Sequence, residues 1–98
     1  RVFCDDEVAY CAKHAQSSLH YAARFAAKEC FLKALGIGLG MGVKLKDIEV
    51  TRNSAGQPSI AAHGEALNQI KKNKIKKIYL SLTHTKKYAA AFLVMEKN

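Results

Sequence analysis

Asp47-Ile48-Glu49-Val50-Thr51-Arg52-Asn53-Ser54-Ala55-Gly56-Gln57-Pro58-Ser59-Ile60-Ala61-Ala62 is the stretch that decides the fold class. Residues 47–52 alternate as a half-buried strand does, Asn53-Ser54-Ala55-Gly56 marks a turn, and Pro58 to Ala62 reads as the return strand. So short a connection joins antiparallel neighbours, because a parallel pair needs a crossover of a dozen or more residues. Upstream, a helix is expected from Ser17 or Ser18 through Leu19, Tyr21, Phe25, Leu32 and Leu35, with serine at its start and Gly36 suited to a left-handed stop. Before it, Asp5 supplies a capping carboxylate to a short helix whose first turn carries further acids at its positive end. Downstream, Gly64 to Asn73 has helical spacing at Leu67 and Ile70, and Lys77 to Thr85 and Tyr88 to Glu96 are strand-forming runs around Lys86-Lys87. Helix, helix, hairpin, helix, hairpin is an α+β order: a mainly antiparallel sheet packed against a long central helix.

The 98 residues suffice for one domain and are too few for two cores. With 49% apolar and 24% charged residues the chain has the composition of a folded globular domain, which excludes collagen-like and low-complexity classes. No stretch approaches the roughly 18 apolar residues of a membrane span, and no signal-peptide pattern opens the chain, so the cytoplasm is the expected compartment. Cys4, Cys11 and Cys30 form no Cys-x-x-Cys pair and fit reduced thiols. Of the net charge of +8, residues 71–98 carry +7, in Lys71, Lys72, Lys74, Lys76, Lys77, Lys86, Lys87 and Lys97 against Glu96. Such a bias points to an anionic partner without choosing among them.

Several constellations could carry chemistry. Gly36-Ile37-Gly38-Leu39-Gly40-Met41-Gly42 follows a helix, whereas a dinucleotide fingerprint follows a strand, and it lacks the Gly-Lys-Ser/Thr ending of a P-loop. It reads as a helix exit needing positive φ, or as a bare backbone that a ligand phosphate can approach. Glu29 and Lys33 lie about 40° apart on one flank of the central helix, which is the spacing of a surface ion pair. The same spacing suits a carboxylate on Mg²⁺ beside a lysine on a phosphate oxygen. His84, in Ser81-Leu82-Thr83-His84-Thr85, stands at a strand end, where functional groups often gather. Cys11, His14 and His20 fall short of a four-ligand zinc pattern, and Asp5-Asp6-Glu7 reads as a helix-start charge cluster. No serine occupies a Gly-x-Ser-x-Gly elbow.

Three segments, taken together, resemble bacterial holo-acyl-carrier-protein synthase, a 4'-phosphopantetheinyl transferase family. They are Ala22-Ala23-Arg24-Phe25-Ala26-Ala27-Lys28-Glu29-Cys30-Phe31-Leu32-Lys33-Ala34-Leu35-Gly36, Asp47-Ile48-Glu49-Val50 with Gly56-Gln57-Pro58, and Ser81-Leu82-Thr83-His84-Thr85 with Tyr88-Ala89-Ala90-Ala91. The resemblance implies that coenzyme A donates phosphopantetheine to a serine of apo acyl carrier protein, that Mg²⁺ assists, and that 3',5'-ADP leaves. It implies Glu29 as the Mg²⁺ ligand and an activator of the serine, and Lys33 as a phosphate contact. Arg24, Gly36, Pro58 and His84 would meet the adenosine diphosphate part of the coenzyme. A homotrimer with sites between protomers, and an acidic carrier protein attracted to the C-terminal lysines, are further implications.

The family pattern also begins with a strand bearing Gly-x-Asp, whose aspartate is a second Mg²⁺ carboxylate, and then a helix. Neither precedes Arg1, so residues 1–98 are expected to form a single domain that is N-terminally truncated relative to the family, with weak Mg²⁺ binding and little activity alone. Two other functions compete with the transferase. One is a small basic module binding nucleic acid or a partner protein, which the lack of aromatic residues among Lys71–Lys77 makes the lesser choice for RNA. The other is a non-catalytic relative that keeps the fold and oligomerises.

Overall fold

The computed structural model describes residues 2–38 and 42–97. Helices α1 (Asp5–Ala12) and α2 (Ser17–Leu35) lead through a short 3-10 turn (Leu45–Asp47) into the hairpin β1 (Ile48–Arg52) and β2 (Pro58–Ala62). Helix α3 (Gly64–Lys72) then precedes a longer hairpin, β3 (Ile75–His84) and β4 (Ala89–Lys97). The α+β order and both antiparallel pairings are as expected from the sequence. Among the described residues the strands form two separate two-stranded sheets, with no ladder joining β2 to β3.

The first hairpin holds its register, Ile48 opposite Ala62 and Arg52 opposite Pro58, through its turn. Asn53 Oδ1 accepts the backbone N–H groups of Ala55 and Gln57, both at 2.9 Å, and Gly56 takes the positive φ of 82° that a side chain resists. Asn53 is therefore the residue that closes the turn. In the second hairpin, alternation turns Ile78, Leu93 and Met95 toward the core and leaves Tyr79, Phe92 and Val94 outside.

Helix α2 is the spine. It packs against β4, β3 and β1, and its buried face consists of Ala23, Arg24, Ala27, Lys28, Phe31 and Leu32. That face differs from the expected stripe of Tyr21, Phe25 and Leu32, for Phe25 is 43% exposed. Ala23 and Ala27 are small enough for the helix to lie close to the sheet, Lys28 reaches polar partners on other elements, and Arg24 lies against the Tyr10 ring. Gly36 ends α2 at φ 69°, donating its N–H to the carbonyls of Leu32 and Lys33. At the starts of the helices the expectation fails: Cys4, not Asp5, caps α1, and Gln16, not a serine, caps α2. The glycine run ends partly outside the described residues, so its path from Leu39 to Met41 is not described.

Phe31, Leu32, Val43, Leu45, Ile48 and Ala66 form the core, and burial of a side chain such as Phe31 contributes about 1.5–3 kcal/mol. Beside it lies a charged pair with no exposed surface. Lys28 Nζ donates to Glu7 Oε1 at 2.7 Å and to the carbonyls of Leu45 and Ile48 at 2.8 Å each. Glu7 in turn accepts the N–H of Cys4 at 3.1 Å and of Val50 at 3.0 Å. All three ammonium donors are used, so α1, α2, the 3-10 turn and β1 are tied at one point. Among the described residues, no helix is long and apolar enough to cross a membrane.

Removing one partner of a buried pair strands the other charge, so Lys28→Met is expected to lower stability by about 3–5 kcal/mol. Urea denaturation checks this through the midpoint; a loss below about 1 kcal/mol, the scale of an exposed pair, would show that the pair is not an anchor.

Candidate active site

Of the six residues singled out for the site, Arg24, Glu29 and Lys33 lie on α2, Gly36 caps it, His84 ends β3 and Pro58 begins β2. Along a helix rising 1.5 Å per residue, Arg24, Glu29, Lys33 and Gly36 spread over about 18 Å. At about 100° per residue Arg24 lies about 140° around the axis from Glu29 and about 180° from Lys33, so it does not share their face. Glu29 is half-buried and Lys33 is exposed. Among the described residues neither side chain makes a hydrogen bond or ion pair, so the surface pairing that their spacing allowed does not form. A lysine one turn from a carboxylate, with both side chains uncommitted, leaves a negative and a positive group available side by side.

Arg24 is 1% exposed, and its guanidinium carbon lies 4.2 Å from the centroid of the Tyr10 ring. Arg24 Nη1 also donates to the carbonyl of His20 at 3.4 Å. His84 stands at the exposed end of β3, and its ring meets that of His20 edge-on at 5.2 Å. The structure thus brings Arg24 and His84 together through His20, a residue that sequence reasoning considered only for zinc. Pro58 begins β2 opposite Arg52 and lines a cavity of about 260 Å³ with Gln57, Ile78, Tyr79 and Leu80, in the gap between the hairpins. It does not join the His20 group in any contact that the structure describes. Gly36 is exposed at the far end of α2.

Burial pushes the His20 imidazole below the usual histidine range, and His14, Arg24, His84 and Arg52 reinforce the shift by charge repulsion. Burial likewise raises the Cys11 thiol, with nearby Arg24 opposing and Glu7 adding to the rise. A protonated, buried thiol makes a poor metal ligand. Among the described residues no group of three His, Cys, Asp or Glu is placed to hold a metal, so Cys11, His14 and His20 do not make a zinc site.

A hard cation has a different requirement. Mg²⁺ keeps several waters and is commonly held by one or two carboxylates together with substrate phosphates. The half-buried, uncommitted carboxylate of Glu29 fits as one such ligand. Sequence reasoning missed Glu7 and Lys28 altogether, since both sit in charged runs that resemble solvated faces. It also missed Arg52, whose guanidinium joins Arg24 near the Tyr10 ring, at 5.9 Å. No periodicity in the sequence marks these residues, because their partners lie on other elements.

Comparison with known proteins supplies the context for this arrangement. Holo-[acyl-carrier-protein] synthase of Syntrophus aciditrophicus is 48% identical over 96 residues, a match covering 98% of this chain and 75% of that protein. The crystal structure of holo-[acyl-carrier-protein] synthase from Neisseria meningitidis superposes with a TM-score of 0.85 at 30% identity, covering 99% of this chain and 78% of that one. The Helicobacter pylori enzyme, solved in complex with coenzyme A, gives a TM-score of 0.81 at 26% identity, covering 98% of this chain and 78% of its own. The family model of the 4'-phosphopantetheinyl transferase superfamily matches residues 1–93. Agreement in sequence, in fold and along nearly the whole chain establishes that the protein belongs to the 4'-phosphopantetheinyl transferase superfamily.

Proposed function

We propose that this protein transfers the 4'-phosphopantetheine group of coenzyme A to a serine hydroxyl of an apo acyl carrier protein, with Mg²⁺, releasing 3',5'-ADP. The observation that carries the reading is the uncommitted Glu29 and Lys33, one turn apart on the spine helix of a fold shared with holo-[acyl-carrier-protein] synthases. The serine oxygen forms a bond to the β-phosphorus of the coenzyme, the bond from that phosphorus to the bridging oxygen breaks, and the electron pair leaves on 3',5'-ADP. Glu29 would hold the metal and accept the serine proton. Lys33 neutralises charge on the pyrophosphate oxygens, where it grows as the bridge breaks. Mg²⁺, when bound, adds Lewis-acid stabilisation of that same charge. Arg24, Gly36, Pro58 and His84 serve the adenosine diphosphate portion.

The eight lysines of residues 71–98 are all exposed and suit an acidic carrier protein. The outer face of the β3–β4 hairpin supports a homotrimer: Phe92 is 78% exposed, Val94 58% and Tyr79 46%, an apolar strip that a second copy would cover.

With coenzyme A, Mg²⁺ and an apo carrier protein, chromatography is expected to detect 3',5'-ADP. Glu29→Gln, which preserves shape and removes charge, should lower the rate by about 10²-fold or more; an unchanged rate rules Glu29 out of the chemistry. In sedimentation analysis, Phe92→Asp should shift the protein toward monomer, and an unaltered association state removes this face as the interface.

A further inference from the structure

The cluster beside the N-terminal half of α2 contains more than the Arg24 and His84 that the coenzyme reading uses. His14 and His20 stack with 4.2 Å between ring centroids and 23° between planes. Tyr10 lies 4.5 Å from His14, and His84 closes on His20 from β3. Three imidazoles and the guanidiniums of Arg24 and Arg52 therefore converge from four parts of the chain. Among the described residues, three buried side-chain nitrogens have no hydrogen-bond partner: His14 Nε2, Arg24 Nε and Arg52 Nε. All three belong to this cluster. Each unpaired buried polar group costs about 1–3 kcal/mol; the two arginine Nε–H groups are donors and His14 Nε2 becomes one when it carries a proton, so together they form a set that an anion would satisfy.

We propose that His14 and His20 extend the phosphate contact of Arg24 and His84, and that phosphate binding at this cluster is coupled to proton uptake by His20. The inference rests on the coenzyme reading above and adds to it two binding residues and a proton. Facing the imidazoles are Tyr10 from α1, Arg24 from α2, Arg52 from β1 and His84 from β3, with Lys13 over the Tyr10 ring at 5.3 Å. Asp6 and Glu49 line the adjoining cavity of about 180 Å³ with Arg24 and Arg52, and their charges offset the guanidiniums. A protonated imidazole restores the positive balance that a phosphate needs. In the free protein His20 is held below its usual range, and a bound phosphate reverses that by stabilising the imidazolium. Between the depressed value of the free protein and the raised value of the complex, binding takes up protons, so affinity rises as pH falls through that window.

Isothermal calorimetry with coenzyme A and Mg²⁺ from pH 6 to 8, in two buffers of different ionisation heat, counts the protons taken up. Net uptake is expected for the wild type and should be lost in the double variant His14→Gln/His20→Gln. The variant should lose roughly tenfold in affinity at pH 6, the effect of one pK unit, and under about twofold at pH 8. Because the phosphate monoester of the coenzyme titrates in the same range, the difference between the two proteins is the reading. Equal proton uptake in wild type and folded variant overturns the inference and leaves the coenzyme reading standing. Absence of coenzyme A binding by the wild type at every pH overturns both. Should the variant not fold, ring-proton NMR of the wild type decides: coenzyme must raise the titration midpoint of His20, and an unmoved midpoint refutes the inference.

Discussion

The ammonium of Lys28, sealed with the carboxylate of Glu7, is the constraint on which the rest of this structure depends. A charge with no exposed surface is tolerable only when every donor has an acceptor, and Lys28 finds three, on α1, on the 3-10 turn and at the start of β1. Glu7 reciprocates by accepting from the strand at Val50. The pair has one geometry in which all these bonds form together, so it sets both the depth and the rotation of α2 against β1. Apolar contacts along Ala23, Ala27 and Phe31 would permit small slips that the pair does not.

That rotation is what gives the helix a working face. Glu29 follows Lys28 by about 100° around the axis, so when Lys28 is driven inward Glu29 is carried to the flank with Lys33. Five residues before it, Arg24 is turned under Tyr10 toward the histidines. One helix thereby presents a carboxylate and a lysine in its C-terminal half and an arginine within an aromatic, basic pocket nearer its start. The hairpins contribute at their ends: His84 closes the β3 side, Arg52 the β1 side. The lysines of the last third lie on exposed surface and act at longer range, where salt weakens them.

Elements governed by local rules were legible in the sequence. The Asn53–Gly56 turn, the left-handed stop at Gly36 and the alternation of the second hairpin depend on neighbours a few residues away. Long-range choices were not. Glu7 reads as one of three acids at a helix start, yet its partner is 21 residues on, and nothing in Lys28-Glu29 says which of the two faces the core. Phe25 has the spacing of a core residue and is largely outside, because buried arginine and lysine stems occupy the face it would have used. As to the site, the spacing of Glu29 and Lys33 suits a surface ion pair and a metal-and-phosphate pair alike, and the resemblance carried by the Ala22–Gly36 segment decided between them. The sequence placed His14 near His20 only as an incomplete zinc pattern and His84 by itself, since the three meet as a cluster only once the chain has folded.

The most direct test of the transferase reading is the intact mass of an apo acyl carrier protein after incubation with the protein, coenzyme A and Mg²⁺. A gain of about 340 Da on one serine, the mass of the transferred group from its chemistry, is the predicted result. A carrier unchanged in mass, with the protein folded and coenzyme A and Mg²⁺ in excess, would contradict it.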